Sequence, residues 1–359
     1  MNSRETRILV VGGIDNKTDN ETHRGLSSAE LYQEMHQKFV ATGSMSEGRT
    51  GHEATLLTNG QVLITGGDGA KTNHPIASAE LYDPNTDTFS LVENMGVARV
   101  GHAAVRLSNG LVLITGGQDS NFMNLNTAEL FDPSTKNFRP AARMMDARTG
   151  HSATLLNDGN VLIAGGENGK TLLPSAELYD PSTNTFHATG GMSIPRLFAP
   201  ATLLSDGKVL IAGGGSLVGN ASGQSVASAE IYDPASGQFA NVGRMGTPRR
   251  GHVMIALGDH NVLAAGGIND ELPDPQRFLN SAELFDVRTL KFSPASSMKR
   301  PRFDHSAVLL NDGRVLVTGG FTGGFPITDT AEIFDLREGF IATGSMTDAR
   351  AEHTVTSIR

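Results

Sequence analysis

Two acidic residues are the first chemistry the sequence offers. Asp304 and Glu352 occupy equivalent places, each directly before a histidine (His305, His353) and two residues after an arginine (Arg302, Arg350). Carboxylates paired in this way serve as general acid and base, or hold a hard cation such as Ca²⁺ through oxygen ligands. Their plainer role is as solvated groups or partners for Arg302 and Arg350. Arg250, an extra arginine beside Arg249, adds a cation. In an enzyme of the sugar isomerase, epimerase or lyase type, Asp304 or Glu352 would be the base and Arg302 or Arg250 the electrophilic clamp. No nucleophile motif accompanies them. The absence of cysteine removes disulfides, thiol chemistry and thiolate metal sites together.

The elements that must position these residues are written seven times along the chain. Paired glycines recur at Gly12-Gly13, Gly66-Gly67, Gly116-Gly117, Gly165-Gly166, Gly213-Gly214, Gly266-Gly267 and Gly319-Gly320. Each closes an apolar run such as NVLIAGG, which follows a run such as HSATLL and precedes SAELYD and a run opening on phenylalanine. Four short extended runs per period of about 50 residues make one antiparallel sheet, and such a sheet buries its two faces only by stacking on copies of itself. The expected fold is therefore all-β: a single seven-bladed propeller spanning residues 1–359. The N-terminus begins at a second strand (Ile8 to Gly13), while the last run (His353 to Ile358) reads as a first strand. The C-terminal strand is expected to complete blade one beside Ile8 to Val11 and to close the ring, leaving no open edge.

First strands begin at His52, His102, His151, Ala199, His252, His305 and His353. The hairpins after them turn on Asn59-Gly60, Asn109-Gly110, Asp158-Gly159, Asp206-Gly207 and Asp312-Gly313, the pairs expected of type I′ turns. Blade six writes Asp259-His260 there, so His260 is expected to adopt the left-handed conformation. Six histidines around a sevenfold axis are held apart rather than gathered on one ion, so they read as structural. Seven arginines (Arg49 to Arg350) match seven glutamates (Glu30, Glu80, Glu129, Glu177, Glu230, Glu283, Glu332), which reads as one buried ion pair per blade. An arginine ring gripping an anion at the channel mouth is the alternative.

Double glycine, third-strand Glu and Tyr or Phe, and a fourth-strand aromatic together resemble the kelch repeat, and the resemblance runs from end to end. The fourth-strand slot, often Trp in that family, is Phe in every blade (Phe39, Phe89, Phe138, Phe186, Phe239, Phe292, Phe340). What the resemblance implies is a kelch propeller, related in fold to galactose oxidase. It leaves function open, because kelch propellers include binding modules, carbohydrate-active proteins and enzymes. The copper site of the oxidases needs a Cys-crosslinked Tyr. This chain has no Cys, and its four Tyr all fill the third-strand slot, so that chemistry is excluded.

Function is expected where the repeat is broken. Six phenylalanines fall outside the repeat slots: Phe122, Phe198, Phe278, Phe303, Phe321 and Phe325. All lie in the loops between strands two and three or between strand four and the next first strand, which open on one face of the disc. Before the first-strand histidine most blades have glycine, whereas Phe198, Asp304 and Glu352 replace it. The loops 14–27, with Arg24, and 268–280, with Arg277 and Phe278, are long and polar, and Lys71 and His74 stand beside them. Long loops on a rigid scaffold are where binding residues concentrate.

The expected function is non-catalytic recognition of a glycan, peptide or other small molecule at this channel-mouth face. Its contacts would be Phe198, Arg250, Phe278, Phe303, Asp304, Phe321, Phe325, Glu352, His74 and Arg24. The enzyme alternative uses the same face and would show one lip carboxyl raised by burial beside Phe303. No metal or cofactor is expected, with Ca²⁺ on the carboxylate pair as the one exception weighed. A formal net charge of -9 with no basic block argues against nucleic acid, and no apolar stretch is long enough to span a membrane. A monomer is expected. Without a signal-peptide pattern the chain reads as cytoplasmic, and as secreted if Met1 is not its natural start.

Overall fold

The computed structural model describes residues 6–16, 25–218, 221–323 and 326–358. Seven four-stranded antiparallel sheets stand around an axis, each ordered from the inside outward as strands one to four. Blade two, for example, runs Glu53–Leu56, Val62–Thr65, Ala79–Asp83 and Thr88–Leu91. The ring closes as the sequence leads one to expect. Thr354–Ile358 pairs antiparallel with Arg7–Val11, in the register Val11 to Thr354 and Arg7 to Ile358, and so becomes the inner strand of blade one.

The second strands are buried on both faces because each sheet is covered by a neighbour on either side. Leu113 and Leu130 of blade three pack with Val161, Ile163 and Tyr179 of blade four, and comparable clusters fill the other gaps. Burying a side chain of this size contributes about 1.5 to 3 kcal/mol. The third-strand aromatic and the fourth-strand phenylalanine meet at ring-centroid distances of 4.8 to 4.9 Å in every blade.

The arginine of each repeat ties its own blade together and joins it to the preceding one. Arg99 donates through Nη1 to the carbonyls of Gly116 and Thr127 and through Nη2 to Thr127 Oγ1 and Glu129 Oε1, all within 3.0 Å. Glu129 accepts in addition from the backbone N–H groups of Gly96 and Val97. The Arg99 carbonyl meanwhile accepts from Gly67 of blade two. This contact explains the double glycine. A Cβ on Gly66 would lie 2.4 Å from the Arg99 carbonyl oxygen and 2.9 Å from the His102 ring. All seven arginines are paired in this way at 2.9 to 3.1 Å, and none is exposed.

Two expectations are corrected. The hairpins after the first strands are not type I′ turns, because only the glycine of each pair has positive φ (Gly60 +85°, Gly159 +90°). Gly60 N–H donates to the Leu57 carbonyl while Gln61 N–H bonds the Asn59 side chain. The result is a three-residue loop, a type I turn closed by a left-handed glycine. In blade six the left-handed residue is Gly258, at φ +60°, not His260.

Candidate functional site

The lip of the central channel is a ring of seven left-handed residues. Gly51, Gly101, Gly150 and Gly251 have φ between +59° and +63°, and Phe198, Asp304 and Glu352 adopt +50°, +48° and +54°. Side chains avoid this region, and for a residue as bulky as phenylalanine it is an outlier. The conformation is imposed by hydrogen bonds that pass from blade to blade. Gly150 N–H donates to Gly101, Phe198 to Gly150, Asp304 to Gly251 and Glu352 to Asp304, each at 2.8 to 3.1 Å. Glycine is therefore the residue the backbone asks for, and three blades carry side chains in spite of it.

Those three side chains and their neighbours form a cavity of about 330 Å³, lined by Phe198, Arg250, Phe303, Asp304 and Glu352 over Gly51, Gly101 and Gly251. Phe198 is 59% exposed and lies over Gly150. Phe303 and Asp304 lean over Gly251, where a Cβ would come within 2.6 Å of either side chain. Arg250 crosses the Phe303 ring with its guanidinium carbon 5.6 Å from the centroid. It is held there by a two-point ion pair to Asp270 (2.8 and 3.1 Å), which Arg277 shares at 2.8 Å.

Burial raises Asp304 to about 8, with the Glu352 charge adding to the rise and Arg250 opposing it. Its carboxyl is thus a hydrogen-bond donor at neutral pH. Glu352 accepts a 2.6 Å hydrogen bond from the Thr50 hydroxyl. Asp68, outside the cavity lining, is likewise raised by burial, with the Glu352 charge adding to the rise and His74 opposing it. At Asp270 burial also pushes the carboxyl up, but the bonds and charges of Arg250 and Arg277 and the Ser225 N–H outweigh it and hold the group below its usual range. Among the described residues no three His, Asp or Glu side chains converge as a metal site.

The structure brings together five of the ten residues expected from sequence, Phe198, Arg250, Phe303, Asp304 and Glu352. Phe278 and Phe321 pack behind Phe303, with centroids at 6.5 and 6.0 Å, and Phe321 also covers the cluster of Ile14, Ile327 and Ala351. His74 lies outside the cavity, its ring tilted against Phe122 with centroids 5.4 Å apart. Arg24 and Phe325 fall outside the described residues. Arg302 is not a clamp. It is fully buried against Glu332 and the Gly319 and Thr330 carbonyls, as its repeat position requires. The same burial takes all seven repeat arginines away from the mouth. The holding roles of Asp270, in a loop of blade six, and of Thr50, in the short strand Arg49–Thr50, were not legible in the sequence, because each acts on a residue of another segment. Neither was the two-stranded ribbon Gly215–Val218 and Ala221–Ser225, whose Ser225 bonds Asp270.

This is a closed seven-bladed propeller whose departures from its own repeat gather at one channel mouth. The chain belongs to the kelch family: residues 51–267, more than half of it, match the KLHDC2/KLHL20/DRC7 Kelch-repeats domain. Kelch propellers are binding scaffolds for proteins or small ligands. No curated protein sequence matches the chain. Among solved structures it is similar to YjhT, at 14% identity and a TM-score of 0.63, covering 82% of this chain and 97% of that one. It is also similar to a fungal alcohol oxidase of the AA5 family in complex with copper, at 17% identity and a TM-score of 0.66, covering 84% of this chain and 66% of that one. Both likenesses concern the fold. All four tyrosines of this chain are fully buried within their blades.

Proposed function

We propose that the protein is a recognition module that binds a glycan or a peptide in the channel-mouth cavity. The observation that carries the reading is the lip: three side chains in left-handed backbone at one mouth, where four equivalent positions are glycine. Strained backbone of this kind costs about 1 to 3 kcal/mol per residue and collects at ligand sites. Phe198 and Phe303 supply apolar faces, Asp304 a donor, Glu352 an acceptor and Arg250 a fixed fork. Aromatic faces with a few oriented polar groups suit a sugar ring or a peptide segment. Phe303→Ala and Asp304→Ala are each expected to abolish binding in a titration with sugars and peptides, while circular dichroism stays that of the wild type. Full affinity in both variants would sink the reading.

One observation favours a second reading, an acid–base enzyme in the same cavity. Asp304, raised to about 8 beside Glu352, is matched to protonating a leaving or carbonyl oxygen while Glu352 takes a proton elsewhere. Turnover of a bound sugar, lost in Asp304→Asn with binding retained, would select this reading over simple recognition.

A further inference from the structure

We infer that the ligand of the mouth is an oligosaccharide, and that a further sugar ring of it stacks on an exposed aromatic platform, Phe122 with His74, carried by the loops of blades two and three. The role of the platform rests on the reading of the mouth as a recognition site and extends it by one subsite. Phe122 is 52% exposed, and Met123 beside it 65%. The His74 ring is exposed as well and lies tilted against Phe122, with centroids 5.4 Å apart. Half in water, the Phe122 ring adds little to the core.

A loop bonded throughout its length presents that ring to solvent. Asp119 N–H donates to the Met123 carbonyl and Phe122 N–H to the Asp119 carbonyl, at 3.0 and 2.8 Å. The Asp119 carboxylate accepts from the N–H groups of Asn121 and Met123. The Gln118 amide donates to the Asn124 side chain, which donates in turn to the Glu167 carbonyl of blade four, each at 2.9 Å. On the other side the His74 carbonyl accepts from Gly69 N–H at 3.0 Å. Phe122 holds a φ of +58°, a conformation that so bulky a residue avoids. The corresponding loop of blade four, 167–172, turns on Gly169 at φ +81° and carries no aromatic residue. As at the lip, a phenylalanine stands where glycine would serve the backbone.

Both loops spring from the lip. Val100, which lines the mouth cavity, pairs with Gln118, and Gln118 with Asn124, two residues from Phe122. Thr50, the hydroxyl donor to Glu352, pairs with Asp68, and Asp68 with Pro75, the neighbour of His74. At about 4.8 Å per strand pair and 3.4 Å per residue, the backbone path from Val100 to Phe122 is at most about 16 Å. Several linked sugar rings span that distance and a single ring does not. The surroundings favour a sugar over a protein partner. A stable protein interface covers about 800 Å² on each side, whereas the apolar surface here is one phenylalanine, one methionine and one imidazole, ringed by the exposed Lys71, Thr72, Asn73, Ser120 and Asn121. That matches one pyranose, whose C–H face lies on the aromatic ring while its hydroxyls meet donors and acceptors at the margin. The mouth offers the same combination, with Phe198 and Phe303 beside Asp304 and Glu352.

The test is calorimetric titration of the full chain with glucose, galactose, xylose and N-acetylglucosamine, and with the β-1,4-linked tetrasaccharide of each. The expected result is one sugar whose tetrasaccharide binds at least about tenfold tighter than its monosaccharide. Phe122→Ala should remove that advantage and leave the monosaccharide affinity unchanged, while Asp304→Ala abolishes binding of both. Equal affinity for the two lengths, or an advantage that survives Phe122→Ala, overturns the platform and leaves the mouth in place. Tetrasaccharide binding lost in Phe122→Ala but unchanged in Asp304→Ala overturns the mouth, and with it the single extended site. A wild type that binds peptides through Asp304 and no sugar overturns the oligosaccharide alone; binding of neither overturns both readings.

Discussion

Replacing Arg99 with methionine is expected to cost about 3 to 5 kcal/mol in a denaturant titration. The substitution leaves Glu129 buried with only the Gly96 and Val97 N–H groups against its charge and orphans the carbonyls of Gly116 and Thr127. Methionine fills part of the volume but replaces none of the donors. The Arg99 carbonyl bond to Gly67 is a backbone contact, so the neighbouring blade keeps its anchor and the loss is that of the side chain alone. Because the other six arginines are bonded alike, Arg148→Met should fall in the same range. A loss below about 1 kcal/mol, the magnitude of an exposed ion pair, would contradict the staple. Arg99→Met together with Glu129→Leu should recover a good part of the deficit, because the uncompensated carboxylate goes too.

The second large effect has the opposite sign. Converting Phe198, Asp304 and Glu352 to glycine, the residue of the other four blades, is expected to raise stability, by about 1 kcal/mol for Asp304→Gly, even though it deletes side chains. The left-handed conformation costs a side-chain-bearing residue about 1 to 2 kcal/mol, and glycine gives back about 0.5 to 1 kcal/mol of that through its looser unfolded chain. At Asp304 the carboxyl is also held against burial and the Glu352 charge, and relief of that adds to the gain.

The pH dependence follows from the same carboxyl. Asp304 titrates near 8 in the folded protein against an ordinary value of 3.8, so between those values the folded state holds a proton that the unfolded state has released. Stability then falls as pH rises from about 4 to about 8. Glu53, also raised to about 8, slopes the same way. Asp304→Asn and Glu53→Gln together should flatten the decline measured by denaturation at pH 4.5 and pH 8. An equal decline in the double variant would show that neither carboxyl is held protonated.

What the sequence makes legible is whatever is repeated or whatever breaks the repeat in a single column. Seven double glycines give the blade count, and the unmatched strands at Ile8 and His353 give the closure. Phe198, Asp304 and Glu352 stand out because glycine precedes the histidine elsewhere. The contacts that assemble the site are of another kind. Arg250 is fixed by Asp270, which is fixed by Ser225, and Thr50 reaches Glu352 across the closing seam. Asp270 lies in a loop and Ser225 in the ribbon strand Ala221–Ser225, outside the repeat columns, and Thr50, although it shares the column of Arg250 and Phe303, acts on a residue 302 positions away. Arg302 looked available only because it neighbours Asp304, whereas its column partner Glu332 decides its place. The Asn-Gly pairs misled for a local reason. The asparagine bonds the backbone two residues on while remaining at negative φ, so one glycine suffices for the turn.

The central claim is that the mouth binds through side chains the repeat does not need. The most direct measurement is a thermal-shift screen of sugars and peptides on the wild type and on the triple glycine variant at positions 198, 304 and 352. A ligand at about a hundred times its dissociation constant adds roughly 2.7 kcal/mol of stability. The account predicts such a shift in the wild type with one ligand class, and a triple variant that melts higher than the wild type without ligand yet does not respond to it. An equal ligand shift in both proteins would contradict it and move the binding site away from the lip.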